Sequence, residues 1–226
     1  MTALAANMQV PQAGLDAGID ALSIALSSRQ RDSIRAYLAL LDKWNRSFNL
    51  TAIREPARMV THHALDALAV LPHLVAQSTP RAPDPHVTRV LDVGTGGGIP
   101  GILLAIARPD WRVTLLDANH KKGAFLTQAV IELDLANADV AVSRVEDYRP
   151  QALFDIVISR AYADLATFVA GAARHVALDG RLYAMKGVVP DAEIAALPVS
   201  VRVSSTITLE VPGLDAARSL VVMQPQ

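Results

Sequence analysis

The segment RVLDVGTGGGIPGI, residues 89–102, places an acid and four glycines within seven residues directly after an apolar run. Each glycine loses more backbone freedom on folding than any other residue, so this loop requires something that only glycine provides. The run before Gly94 predicts a strand, and the residues from Ile99 onward predict a helix. In a doubly wound sheet, the first strand-to-helix turn is where nucleotide-like ligands bind. The segment therefore predicts a binding loop in an α/β sheet.

The glycine spacing distinguishes two kinds of cofactor. The dinucleotide pattern G-x-G-x-x-G fails when it starts at Gly94, because Ile99 stands where the third glycine belongs. A match that starts at Gly96 comes two residues too late. The sequence instead reads acid-x-Gly-x-Gly-x-Gly from Asp92 to Gly98, a pattern typical of S-adenosylmethionine-dependent methyltransferases. The Asp92 carboxylate would supply negative charge near the cofactor's ammonium group, directly or through water, and would repel a pyrophosphate.

Short β-branched runs alternate with helical patterns from Thr88 onward, which predicts βαβ units and a mostly parallel sheet. The predicted strands are 88–93, 112–117, 138–143, 154–159 and 181–185, with helices near 99–107, 120–134, 164–176 and 190–197. The last two apolar runs, 201–211 and 218–224, are joined by PGLDAA, which is too short for a helical crossover. They predict an antiparallel C-terminal hairpin, and hence a sheet of seven strands.

The chain divides into three predicted regions within one globular unit. Residues 1–18 are predicted to be a flexible tail, and residues 19–76 a helical extension packed on the core. In the extension, Ser28 is placed to cap a first helix, and Pro56 opens a second. The segment AQSTPRAPDPH contains three prolines within six residues and is typical of a connector. The sheet domain then covers residues 88–226.

Composition excludes several kinds of site. The chain has no cysteine, which excludes disulfides, zinc–thiolate sites and cysteine nucleophiles. The longest apolar stretch, ALAVLPHLVA, is too short to span a bilayer, and the amino terminus is not a secretory signal. The histidines show no metal-binding pattern. A net charge of −1 means that any polyanionic partner must meet a local basic patch. We expect a soluble cytoplasmic monomer without metal or membrane partner.

The ends of the later strands carry further candidate residues. Asp117 ends the second strand, where a carboxylate can accept hydrogen bonds from ribose hydroxyls. Val145 and Glu146 follow the third strand, where an adenine would rest. The fourth strand runs into Ser-Arg-Ala-Tyr at 159–162. Enzymes that methylate exocyclic amines of bases commonly have Asn/Asp-Pro-Pro-aromatic at this place, so these residues do not indicate that chemistry.

Six segments in order closely resemble the 16S rRNA guanine-N7 methyltransferase family, also called glucose-inhibited division protein B. The resemblance covers about residues 19–223 and rests on KWNRSFNLTAIR, HHALDAL, DVGTGGGIPG, SRVEDY, VISRAYA and YAMKG. It implies a class I methyltransferase fold with an N-terminal helical extension. It also implies that S-adenosylmethionine is the cofactor and that the substrate is a guanine in the decoding-region (530) loop of 16S ribosomal RNA, naked or in a small-subunit particle.

The resemblance also implies where the cofactor binds. It assigns cofactor contacts to Gly94, Ile99, Val145, Glu146 and Arg160. The general logic of the fold adds Asp92, Gly96, Gly98 and Asp117. The family pattern does not assign catalytic residues. Guanine N7 has a lone pair and no proton, so methyl transfer needs alignment and desolvation and no general base. Because the product is a cationic purine, we interpret Arg160 as an anchor for the cofactor carboxylate or a phosphate.

RNA contacts must come from local charge and aromatic rings. We predict that Arg54, Arg58 and Lys186 contact RNA and that Tyr162 stacks on a base. Trp44 lies at helical core spacing, so we interpret it as a buried residue.

Two other functions remain open from the sequence. A small-molecule methyltransferase would share this sheet, but it would normally have a lid over the substrate, and the chain contains no long insertion to form one. A non-catalytic nucleotide-binding module would bind the cofactor without methylating RNA.

Overall fold

The computed structural model describes residues 12–76 and 87–226. Its strands are β1 (Arg89–Val93), β2 (Arg112–Asp117), β3 (Ala138–Val142), β4 (Phe154–Arg160), β5 (Val176–Lys186), β6 (Val201–Thr208) and β7 (Ser219–Pro225). They form one seven-stranded sheet in the order β3-β2-β1-β4-β5-β7-β6. The first five strands pair in parallel, and β7 is antiparallel to both β5 and β6. The predicted sheet with its C-terminal hairpin is confirmed.

Helices cover both faces of this sheet. They are α1 (Gln12–Ala21), α2 (Ser28–Phe48), α3 (Pro56–Met59), α4 (Asp66–Leu68), α5 (Leu71–Val75), α6 (Gly101–Ala107), α7 (His120–Glu132), α8 (Leu165–Ala172) and α9 (Asp191–Ala195). A π-helical segment, Val60–Leu65, joins α3 to α4, and a 3₁₀ turn, Ala173–His175, follows α8. No helix in the described ranges is long and apolar enough to cross a membrane.

Helix α2 shows how local sequence forms the extension. Its N-cap is Ser27, one residue before the predicted cap, and its hydroxyl accepts from the Gln30 backbone while the Gln30 side chain accepts from the Ser27 N–H. This reciprocal pair satisfies two backbone donors that a helix start otherwise leaves free. The helix is capped at its C-terminal end by Asn49, which adopts the left-handed conformation that commonly terminates helices. The start and end of α2 are therefore set by local hydrogen bonds.

The helical extension and the sheet share one hydrophobic core. Buried side chains of α1, α2 and the α3–α5 region join those of α6 and α7 in one cluster on one face of the sheet. A second cluster, between α8 and the opposite face, contains Phe154 and Phe168. The extension is therefore packed directly on the helices that flank the glycine loop.

Two predicted boundaries were wrong. The predicted tail included residues 12–18, but α1 begins at Gln12 and buries Leu15 and Ile19 in the core; residues 1–11 lie outside the described ranges. The helix predicted over 164–176 ends earlier, and β5 begins at Val176 instead of 181, because Val176 pairs with Phe154 before a shift in register. Both errors have the same cause, since long-range packing and pairing decided the local structure.

Candidate active site

The glycine loop has the backbone geometry that its sequence predicts. Gly94, Gly96 and Gly98 have φ values of +66°, +60° and +87°, a region that other residues rarely adopt. The Gly94 and Thr95 amides donate to the Leu116 carbonyl at 2.8 and 3.1 Å, which ties the loop to the end of β2. A side chain at Gly96 would meet only the Gly94 carbonyl and the Lys122 ammonium, at 3.8 and 3.9 Å. The loop therefore leaves open space above Gly96.

Asp92 lies beneath this loop and is fully buried. Its Oδ2 accepts from Thr95 Oγ1 at 2.5 Å and from the Gly101 amide at 2.7 Å, so it joins the loop to the start of α6. Burial raises the pKa of Asp92 to about 6. Its other oxygen, Oδ1, is buried without a hydrogen-bond partner in the described structure. Asp92 therefore supports the loop from beneath, and its contact with the cofactor ammonium, directly or through water, stays a prediction.

Asp117 ends β2 beside the same loop, as predicted. Its Oδ2 accepts from the Gly96 amide and its Oδ1 from the Asn119 amide, both at 2.9 Å. Lys122 Nζ lies 3.5 Å from Oδ2. Each carboxylate oxygen has two lone pairs, and Oδ1 accepts from only one donor among the described residues, so it retains capacity for a further one. The open space above Gly96 and the Asp117 carboxylate fit a cofactor that contains a ribose.

A cavity of about 280 Å³ opens at the carboxyl edge of the sheet. Its walls come from the extension, the glycine loop, and the ends of β4, β5 and the segment before β7. The lining residues are Leu50, Thr51, Asp66, Gly94, Thr95, Gly96, Gly97, Ile99, Arg160, Ala161, Met185, Lys186, Gly187 and Arg218. Five residues predicted from the sequence therefore line one cavity: Gly94, Gly96, Ile99, Arg160 and Lys186.

Arg160 lines this cavity while the extension holds its guanidinium. Its Nη1 donates to the His62 carbonyl at 2.8 Å and to Asp66 Oδ2 at 3.1 Å. Arg218 Nε donates to the other oxygen of Asp66 at 2.9 Å. Asp66 is buried between the two arginines. The extension therefore holds Arg160 at the cavity wall, where its side chain is only partly exposed.

His63 joins the same network from the π-helical segment. Its Nε2 lies 2.8 Å from Thr51 Oγ1, and its Nδ1 lies 3.0 Å from the His62 carbonyl. Burial, followed by the nearby Arg160 charge, lowers the pKa of His63 to about 4, so the ring is neutral at pH 7. A neutral ring with its proton on Nδ1 satisfies both contacts. His63 is buried, whereas His62 is more exposed.

The extension also contacts the glycine loop through Tyr37, which the sequence analysis did not single out. Its hydroxyl donates to the Gly97 carbonyl at 2.5 Å, and burial raises its pKa far above the ordinary value. The only available signal was its place on the apolar face of α2, next to Leu38 and Leu41. Because that position also suits an ordinary core residue, the pattern alone could not distinguish the role.

Val145 and Glu146 lie outside the cavity lining, after β3. The Val145 carbonyl accepts from His175 Nε2 at 2.9 Å and from Arg174 at 3.3 Å, and Arg174 also contacts the Glu146 carbonyl. Val145 is buried, whereas Glu146 is exposed. These contacts fix the segment to the end of α8. Its role in binding adenine stays a prediction.

The predicted RNA-binding residues lie in different environments. Arg54 and Arg58 are exposed on the extension, and Arg54 donates to Asn49 Oδ1 at 3.1 Å. Lys186 is different, because its ammonium donates to Glu193 at 2.8 Å and to the Ala163 carbonyl at 2.9 Å. Its charge is already neutralised within the protein, so it is a poor candidate for a phosphate.

Tyr162, the predicted stacking residue, packs against Gly94. A methyl group built on Gly94 would overlap its ring, with Cε2 and Cγ at 3.2 and 3.3 Å and Cδ2 nearer still. The side chain is 37% exposed, and its ring makes an edge contact with Phe168. Tyr162 therefore lies at the border of the glycine loop with part of its ring open to solvent.

Within the described ranges, no three His, Asp or Glu side chains are grouped to hold a metal ion.

Comparison with known proteins identifies the fold. The structure of MtNAS in complex with MTA and tNA matches with a TM-score of 0.56 at 14% identity, over 94% of this chain and 81% of that one. The O-methyltransferase NcsB1 from neocarzinostatin biosynthesis, in complex with S-adenosylmethionine, matches with a TM-score of 0.50 at 19% identity, over 70% of this chain and 57% of that one. At these identities the likeness concerns the fold alone, which is that of class I methyltransferases.

Sequence comparison identifies the family. The ribosomal RNA small subunit methyltransferase G of Laribacter hongkongensis is 52% identical over 207 residues, which cover 92% of this chain and 95% of that protein. A family model described as GidB, rRNA small subunit methyltransferase G, matches residues 30–221. The cofactor is S-adenosylmethionine, and the loop space and Asp117 fit it. The chain belongs to the rRNA small subunit methyltransferase G family.

Proposed function

We propose that the protein transfers a methyl group from S-adenosylmethionine to N7 of one guanine in the decoding-region (530) loop of 16S ribosomal RNA. When bound, the cofactor supplies an electrophilic methyl group on a sulfonium sulfur. Guanine N7 offers a lone pair and has no proton to lose. The protein therefore needs to align the two reactants and exclude water, but it needs no general base.

The titratable side chains of the cavity carry this proposal. They are Asp66, Arg160, Lys186 and Arg218, and each of them is held in an ion pair. Asp66 is the one carboxylate among the described lining residues, and two arginines occupy its oxygens. A cavity without a free base suits an acceptor that needs no deprotonation. Hydroxyl or amine acceptors generally require a base, so they fit this cavity less well.

Mapping the methyl group tests the proposal. Small-subunit particles and protein-free 16S rRNA, both from a strain that lacks the modification, are incubated with radiolabelled cofactor, and the labelled nucleoside is identified and located. We expect 7-methylguanosine at a single position in the 530 loop. Label on another base, on a ribose or at several positions would contradict the assignment, and absence of label from both substrates would favour a non-RNA acceptor.

A further inference from the structure

An aromatic stack stands at the C-terminal end of α2. Phe48 ends this helix and stacks on Trp44, with ring centroids 5.0 Å apart and an interplanar angle of 30°. Trp44 in turn makes an edge contact with the buried Phe125 of α7, at 5.7 Å. Phe48 is nevertheless 42% exposed, so part of its ring is open to solvent. The stack therefore presents an aromatic ring that its neighbours hold in place.

The chain that follows connects this ring to the cavity. Asn49 turns the backbone in the left-handed conformation, and Leu50 and Thr51 then line the cavity. The Thr51 amide donates to the side chain of the buried Asn45 at 2.9 Å, so the turn is fastened to α2. Phe48 is therefore attached to the rim of the cavity by a short, hydrogen-bonded segment.

A positive charge lies on the residue that follows this ring. Arg54 donates to the neutral side chain of Asn49, the residue next to Phe48, so its charge is not compensated there. An exposed ring beside an uncompensated cation is an arrangement that binds unpaired nucleotides by stacking and phosphate contacts.

We propose that Phe48 is a stacking platform for an unpaired base of the RNA substrate, with Arg54 contacting an adjacent phosphate. This inference rests on the proposed function, because it assumes an RNA substrate. The alternative, that Phe48 is an ordinary core ring, does not explain its exposure or the Arg54 charge held on the next residue. The platform places the flanking nucleotide at the cavity rim while the target guanine enters the cavity.

Kinetics of four variants test the platform. Phe48→Ala should raise the KM for the ribosomal substrate by about 5- to 150-fold, the range for loss of one base stack. Phe48→Leu, which keeps an apolar side chain, should lose nearly as much, whereas Phe48→Tyr should retain wild-type KM. Leu178→Ala is the matched control, because Leu178 is 90% exposed and lies near the amino end of β5, away from the cavity. Cofactor affinity and thermal unfolding, measured for all four, should stay near wild type.

Salt dependence separates stacking from charge. Stacking involves no counterion release, so Phe48→Ala should weaken binding to protein-free 16S rRNA with an unchanged log–log salt slope. Arg54→Ala should instead make the slope shallower by about one. If wild type methylates RNA but Phe48→Ala and Phe48→Leu keep its KM, the platform is overturned while the proposed function stands. A higher KM for particles with unchanged affinity for protein-free RNA would also overturn it, because the ring would then contact a ribosomal protein. If wild type methylates no RNA, the proposed function itself fails.

Discussion

Replacing Gly94 by alanine perturbs the cavity in two separable ways. The residue has φ +66°, and an L-residue in this region costs roughly 1–2 kcal/mol. The added methyl group would also overlap the Tyr162 ring, which is partly exposed and can move aside. For a chain of this size, a loss of about 1–2 kcal/mol corresponds to a fall in Tm of about 2–8 °C. Because both the strained turn and the displaced Tyr162 ring alter the cavity wall at Gly94, we expect cofactor affinity to fall by more than about tenfold.

Gly187 provides the matched control, since it lines the same cavity without positive φ. A methyl group there would meet only the Ala217 carbonyl, at 3.8 Å. Gly187→Ala should therefore leave Tm within about 1 °C of wild type. Calorimetric titration with S-adenosylhomocysteine should show only a small change for this variant.

A double variant separates backbone strain from the overlap with the ring. In a Tyr162→Ala background the overlap disappears, but the strain at Gly94 stays, so adding Gly94→Ala should still cost about 1–2 kcal/mol. Wild-type Tm and wild-type cofactor affinity in the Gly94→Ala single variant would refute the account of the loop. Equal losses in the two glycine variants would refute it as well, because the cost would then not depend on φ.

Three further predictions concern buried charge and RNA binding. The pKa of His63 falls from 6.5, its ordinary value, to about 4 in the folded protein. As pH falls through this window, the unfolded chain takes up a proton before the folded protein does, so the free energy of unfolding decreases by up to about 3 kcal/mol. Chemical denaturation of His63→Gln should show a weaker loss from pH 6.5 to 4.5, and an identical pH dependence would contradict the burial argument. The pKa of Asp92 is raised from 3.8 to about 6 in the folded protein. The folded protein therefore holds this proton more tightly than the unfolded chain, and the free energy of unfolding decreases as pH rises through that window. As pH rises from 4 to 6, the stability of Asp92→Asn should therefore increase relative to that of wild type. A relative decrease would indicate that the folded protein stabilises the charged carboxylate. Replacing Arg54 and Arg58 by alanine should make the salt slope of RNA binding shallower by up to about two, whereas Lys186→Ala should not change it; the reverse result would mean that Lys186, and not the two arginines, contacts a phosphate.

Patterns between neighbouring residues were sufficient to predict the sheet, the glycine loop and the residue at the end of β2. Alternating strands and helices predicted the sheet, and the acid and glycines predicted the loop between β1 and α6. Asp117 was predicted because the position of a residue at a strand end follows from topology alone. Each of these features depends either on neighbouring residues in the sequence or on the order of the strands in the sheet.

The remaining features depend on contacts between distant segments. Arg160 and Asp66 are 94 positions apart, and nothing local indicates that they pair. The complete burial of Asp92 was not predicted, because the pattern shows which residue is present but not how deeply it is buried. Phe48 was missed because it follows Trp44 at a spacing of four, which a buried helix face also shows. Only the structure distinguishes the covered ring from the exposed one.

The central claim is that the acceptor is N7 of a guanine, and substitution of that one atom tests it most directly. Small-subunit particles are reconstituted with 16S rRNA that contains either guanosine or 7-deazaguanosine at the mapped position, where carbon replaces the N7 lone pair. Methyl incorporation from labelled S-adenosylmethionine is then measured for both. We predict stoichiometric methylation of the guanosine particle and none of the 7-deaza particle, although both bind the protein with similar affinity. Equal methylation of the two particles would contradict the account, because the acceptor would then be another atom.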